Sequence, residues 1–338
     1  MRNMKGKRIL FLANRLFGIE MVIKETLERK GAEVEYYDER PANSFFVKAA
    51  IRINRNLIGY YIDRYHKEII RRTSGKKYDY IFFIKGESFS HSNLRTLLAG
   101  HPEAKSIVYH WDSIANNHNA LNLLPLFDSK FTFDRNDSSR LNIGFLPLFY
   151  YDDYRTVKES AGKYENDLLF VGTAHSDRYR IIKELTRRFA EAGMKSYTYF
   201  YFQGRLMFYK YYLQHKEARD IKKSEVHYDP IDKNDLLDLY RKSRVIVDVS
   251  HPKQTGLTLR CIETLGAGRK LITTNRDIVN YDFYNPQNIC VIDSENLTVP
   301  AGFLNSDYTP VPEYIYEKYS LSSWLDVLFG IKEDISLE

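Results

Sequence analysis

Residues 245–275 read VIVDVSHPKQTGLTLRCIETLGAGRKLITTN, and the fold turns on them. The β-branched run 245–249 suits a buried strand. A polar turn over 250–256 follows, and 257–266 predicts a helix whose core face carries Leu259, Ile262 and Leu265. Gly266 and Gly268 are expected to end that helix, because glycine takes the left-handed backbone without steric cost. Residues 270–274 are strand-like again. Together these pieces make a βαβ unit, and such units bind ligands at the carboxyl ends of their strands. Arg260 and Glu263 lie three apart on a second helical face, near the helix N-terminus, where free N–H groups attract anions. An exposed ion pair is the plain reading of such residues. The glycine-flanked loop favours a ligand contact instead.

At 338 residues the chain has room for two ordinary α/β domains. Aromatics make up 14% of it, with 27 Tyr and 20 Phe, which fits clefts lined by flat amphipathic rings. Cys261 and Cys290 are too few for a metal cluster or a disulfide framework, so buried free thiols in a reducing compartment are expected. The basic start MRNMKGKRILFLANRLFG has an apolar run only over 9–13, a first strand rather than a signal peptide. No window approaches the ~18 apolar residues of a membrane span. A cytoplasmic location is expected, with the inner face of the cytoplasmic membrane as a variant of it. The net charge of +6 is uneven: residues 1–150 hold about +8 and the remainder about −2. A basic first half implies an anionic partner there, a membrane surface or a lipid-linked phosphate. Nucleic acid is not expected, since no recognition module is visible.

Strand and helix patterns alternate on both sides of residue 150. In the first half, strands are predicted over 8–13, 32–37, 78–85, 106–110, 127–133 and 142–148, with helices over 19–30 and 90–99. Residues 43–72 form a long helical candidate with Lys and Arg between its apolar positions. It is expected either to pack one face on the core or to rest on an anionic membrane or acceptor phosphate. Residues 148–166 carry tyrosine and charge without a strong period and read as a linker. The second half restarts with a strand over 167–171 that leads into Gly172 and Thr173, and Arg178 opens the next helix. Residues 203–221 are a Tyr- and Lys-rich helical insertion without an assigned role, and 314–328 is a final helix or helix pair able to fold back. The expected division is 1–150, 151–313 and a returning 314–338.

Two Rossmann-like halves, with LYRKSR at 239–244 before a strand and GLTLRCIETLGAGRKLITTN at 256–275, resemble the GT-B glycosyltransferases. In that fold, two Rossmann-like α/β domains face each other across a cleft. The likeness is nearest to bacterial capsule, lipopolysaccharide and CgeB-like members. It spans most of the chain by pattern, but only about 30 residues carry motif content. The resemblance implies a nucleotide-sugar donor, a glycan or lipid-linked glycan acceptor of surface polysaccharide assembly, no cofactor and no metal. Glu263 matches the glutamate that bonds the nucleotide ribose. Gly256, Leu257 and Thr258 would cradle the diphosphate with Arg260 as a cation, and Gly172, Thr173 and Arg178 would add a second phosphate contact. Thr255 stands where many retaining members carry another glutamate, which leaves the stereochemistry open.

An inverting reaction needs a base from the first half to deprotonate the acceptor hydroxyl. Asp112 is the expected base, because it follows the strand 106–110 and adjoins Trp111, a ring suited to stacking on a sugar. His110 is the alternative, with Glu87 and, less directly, Glu20 as further candidates. Asn14, Arg15, Lys85, Glu87 and Trp111 would line the acceptor side. Two other classes share the architecture: a sugar-nucleotide epimerase, which usually shows a richer N-terminal glycine loop, and a catalytically inactive nucleotide-sugar-binding protein.

Overall fold

The computed structural model describes residues 4–16, 18–41, 59–114, 118–160, 163–174, 177–250 and 255–332. The chain divides into two units, Met1–Pro147 with Leu321–Ser336, and Leu148–Ser320. Apolar runs with little polar alternation build the centre of both, as expected of strands buried on two faces. In the first unit these are β1 (Arg8–Ala13), β2 (Glu33–Asp38), β3 (Tyr80–Ile84), β4 (Lys105–His110), β5 (Ser129–Thr132) and β6 (Gly144–Phe145). All pair in parallel, in the order β2-β1-β3-β4-β5-β6. The order reverses between β1 and β3, so the crevice at their carboxyl ends is a topological switch point.

The helix Gly59–Thr73 is the described part of the long basic segment; residues 42–58 lie outside the described set. It buries Ile62, His66, Ile69 and Thr73 on the first sheet's core side. On its outer face Arg71 and Arg72 both bond Glu68, at 2.8 and 2.7 Å, which makes this a core-packed helix with a solvated charged side. The helix Leu321–Leu328 also belongs to this unit. Trp324 meets Tyr109 edge-on at 4.7 Å, and Asp326 pairs with Lys30 at 2.8 Å.

The second unit holds β7 (Asn166–Thr173), β8 (Ser196–Tyr201), β9 (Val226–His227), β10 (Ser243–Asp248), β11 (Lys270–Thr273) and β12 (Ile289–Val291). Its parallel order is β12-β11-β10-β7-β8-β9, the arrangement of a doubly wound dinucleotide fold, with its switch point between β7 and β10. Two expectations need correction here. Residues 148–160, read as part of a linker without a strong period, are packed: Phe149, Tyr150, Tyr154 and Val157 are buried and 152–158 is helical. Tyrosines on an inward face look polar in the sequence and hide that period. Gly266 is the last residue of the helix Leu259–Gly266, not a left-handed terminator; only Gly268 has positive φ, at 58°. A Cβ on Gly266 would stand 2.5 Å from the Tyr150 ring, so close packing is what requires glycine there.

Candidate functional site

At the switch point of the second sheet, Asp248 ends β10 completely buried. A bare carboxylate there would be costly, and the surroundings supply its partners. Thr258 donates its hydroxyl at 2.9 Å and Arg260 its Nη1 at 3.0 Å. Cys261 and Thr273 approach the other carboxylate oxygen at 3.5 Å. Because the Thr258 hydroxyl points to Asp248, it does not cap the helix Leu259–Gly266. The other amino group of Arg260 donates to the carbonyl of Val171 in β7, and its guanidinium lies 5.3 Å from the centre of the Phe170 ring. Gly172 makes this possible: a Cβ there would sit 2.9 Å from Arg260 and 3.1 Å from Phe170.

Arg178 completes the cluster. Its Nε donates to the Val249 carbonyl at 2.8 Å and its Nη1 to the Thr173 hydroxyl at 3.0 Å. Burial and the neighbouring Arg260 push its pKa below the ordinary value, against the opposing pull of Asp248. Burial likewise opposes the charge of Arg260, but Asp248, Tyr240 and Glu263 outweigh it and hold that pKa above the usual range. One guanidinium thus bonds the buried carboxylate and a second stands beside it on Val249 and Thr173, at the N-terminal ends of two helices. The surplus is positive and suits an anion.

Glu263 is half-buried one turn along the same helix. Burial pushes its carboxyl up to about 7, opposed by Arg260 and by the Tyr154 hydroxyl within hydrogen-bonding reach. The Tyr154 phenol is itself pushed well up by burial and by Glu263. Gly256 and Leu257 are buried, and the carbonyls of Thr255 and Gly256 accept from the Asn275 amide at 3.0 and 3.3 Å, which ties the loop to the end of β11.

At the switch point of the first sheet the strand ends carry acids instead. Lys85 follows β3 in a left-handed backbone, φ 75°, a rare conformation for a side chain of this kind. Its Nζ lies 2.6 Å from Asp112 and 3.4 Å from Glu87. Burial works against its charge, yet Asp112 and Glu87 carry its pKa above the usual value. Glu87 also pairs with Arg40 and accepts from the Asn14 amide at 3.5 Å. Burial would raise its pKa, but Lys85 and Arg40 bring it below the ordinary value. Glu39, after β2, is fully buried with neither carboxyl oxygen bonded, while its backbone carbonyl is held by Ser88 at 2.6 Å and His66 at 2.9 Å. Burial first, then repulsion from Glu87, pushes its carboxyl up to about 8.

The expected residues therefore fall into two groups. Gly172, Thr173, Arg178, Thr258, Arg260 and Glu263 come together at the second switch point; Asn14, Lys85, Glu87 and Asp112 at the first. Arg15 departs from the latter group, its exposed side chain reaching Asp38 at 3.6 Å. Trp111 is only 7% exposed, so its ring offers no open face for a sugar to stack on. His110 is buried, and burial with the Lys85 charge pushes its pKa down to about 4, which keeps it neutral near pH 7. Asp112 keeps an exposed side chain. Arg260 finds its main partner in Asp248 rather than in Glu263. Asp248, Tyr154, Asn275 and Glu39 escaped sequence reasoning, although an aspartate closing the run Val245-Ile246-Val247 was a visible signal for the first.

No family model and no curated protein matches the sequence. Solved structures do match over nearly the whole chain. The trehalose-phosphate synthase (UDP-forming) of Burkholderia vietnamiensis is 10% identical, with 96% of this chain and 99% of that one covered at a TM-score of 0.58. A glycosyltransferase from Rickettsia africae is 12% identical over 96% and 97% of the two chains, at 0.55. The catalytic domain of starch synthase IV from Arabidopsis thaliana, bound to ADP and acarbose, is 12% identical over 97% of each, at 0.54. The chain has the GT-B fold of these glycosyltransferases.

Proposed function

We propose that the protein is a glycosyltransferase that moves a sugar from a nucleotide-sugar donor to a glycan or lipid-linked glycan acceptor of surface polysaccharide assembly. The observation that carries this reading is the pair Arg178 and Arg260, the first held by Val249 and Thr173 and the second by the buried Asp248, beside Glu263 at the switch point of the second sheet. When the bond from the anomeric carbon to the diphosphate breaks, negative charge grows on the departing phosphate. Preorganised guanidiniums and helix N–H groups stabilise that charge without reorganising. The reading therefore invokes no metal and no cofactor. Glu263, as a carboxylate, would accept from ribose hydroxyls, with Gly256, Leu257, Thr258, Gly172 and Thr173 around the diphosphate.

On the acceptor side, Asp112 takes the hydroxyl proton in this reading, with Lys85 holding the carboxylate at 2.6 Å and Asn14 and Glu87 beside it. A neutral, buried His110 suits the role less. Two buried free thiols, Cys261 and Cys290, suit a reducing cytoplasm.

Thermal-shift measurements with UDP, GDP, CMP and ADP test the donor site. At least one nucleotide is expected to stabilise the protein, and Glu263→Ala should remove that shift while leaving the unliganded melting temperature nearly unchanged. No shift with any nucleotide would remove the reading. Product analysis with sugar nucleotides and a lipid-linked acceptor then separates transfer from nucleotide binding alone. Because Glu263 titrates near pH 7, nucleotide affinity should rise as pH increases from 6 to about 8, a dependence that Glu263→Gln flattens.

A further inference from the structure

The helix Arg205–Gln214 lies in the tyrosine- and lysine-rich insertion that the proposed chemistry does not use. At 3.6 residues per turn, Phe208, Tyr211 and Tyr212 fall on one side and Leu206, Tyr209, Lys210 and Leu213 on the other. The first set anchors the helix: Phe208 is fully buried against Phe202, ring centres 5.1 Å apart, and Tyr211 and Tyr212 pack on the same core. The second set faces solvent, with Leu206 81% exposed, Leu213 78% and Tyr209 45%. Two nearly bare leucines two turns apart, with Tyr209 between them, bury little in this fold, and such a stripe marks a contact surface. The segment is basic, and one of its lysines stands at the stripe. Over 205–223, Lys and Arg outnumber Asp and Glu by about six to two, and Lys223 lies 5.1 Å from the Tyr209 ring centre.

We propose that this face docks on an anionic lipid bilayer, with Leu206, Leu213 and Tyr209 entering the boundary between headgroups and acyl chains. Lys210, Lys222 and Lys223 would reach lipid phosphates. The combination favours a bilayer over other partners. Nucleic acid would use the charge but leave the leucines in water, and a second copy would set like charges against each other. The attachment is peripheral, since no helix among the described residues is long and apolar enough to cross a membrane. It does not depend on the proposed reaction.

The test is co-sedimentation of the full chain with phosphatidylcholine vesicles, with and without about one third phosphatidylglycerol. Binding to the anionic vesicles and its loss in high salt are expected. The double variant Leu206→Glu/Leu213→Glu should weaken binding at least about tenfold with an unchanged melting temperature, because both side chains are exposed. Lys222→Glu/Lys223→Glu should weaken it in the same direction. Wild-type protein that ignores anionic vesicles, or a leucine variant that binds as well as wild type, overturns the proposal. So does concentration-dependent self-association that the leucine variant abolishes, which would make the face a contact between copies.

Discussion

At the switch point of the second sheet, two guanidiniums gather beside one buried carboxylate, Arg260 bonded to it and Arg178 to Val249 and Thr173. At that of the first sheet, three carboxyls, Glu39, Glu87 and Asp112, stand around Lys85 and Arg40. Both clusters occupy the same topological place, the carboxyl ends of parallel strands where the strand order reverses. The fold therefore decides where polar residues gather, and a few loop residues decide their sign. A cationic edge stabilises a leaving anion, whereas an edge with a surplus of carboxyls can receive a proton.

The sharpest way to break this contrast is Arg260→Ala. Removing one partner of a buried pair leaves Asp248 charged and unpaired, a loss of about 3–5 kcal/mol by urea denaturation. A loss under about 1 kcal/mol would mean that Asp248 does not depend on its cation. An effect of similar size lies in the first cluster. Glu39 has a folded pKa of about 8, above its unfolded value of about 4.3, so folding favours its neutral form. Its contribution is complete below the unfolded pKa and is lost as pH rises through 8. Glu39→Gln should remove that decline, a gain on the order of 5 kcal/mol over wild type at pH 8.5 and little change at pH 4, read from melts across pH. Parallel pH profiles would show that Glu39 is not neutral in the fold. Gly172→Ala should cost about 1–3 kcal/mol, since its Cβ must displace Arg260 or Phe170; equal stability would mean the guanidinium can move aside. The smallest effect on stability belongs to Asp112→Asn, within about 1 kcal/mol because the side chain is exposed. Transferase activity should nevertheless fall about 10²- to 10⁴-fold, and an unchanged rate would move the base elsewhere.

Much of the architecture was legible because buried parallel strands announce themselves as apolar runs, and Val245–Asp248 with its following helix is a plain example. Side-chain partners were less legible. Arg260 stands out in the sequence, but its partner lies 12 residues earlier, at the end of a strand, because the guanidinium turns inward beneath Phe170. Spacing along a helix cannot show that. Glu39 sits in the sequence Tyr37-Asp38-Glu39-Arg40, which looks like a charged turn. Its burial comes from Ser88 and from His66, stacked on Phe89 at 3.7 Å, residues far away in the chain. Tyr154 was hidden among other tyrosines, and its role appears only through Glu263.

Tyr150 forms a parallel bridge with Ser320, and its N–H donates to the Tyr319 carbonyl at 2.9 Å. The chain thus enters and leaves the unit 148–320 at a single point. A segment whose two ends meet can be cut out without severing a strand of its sheet, and its ends can be rejoined elsewhere. In genetic terms, the half with the cationic edge is a cassette: it could be exchanged between proteins as one continuous stretch while the other half kept its own first and last residues.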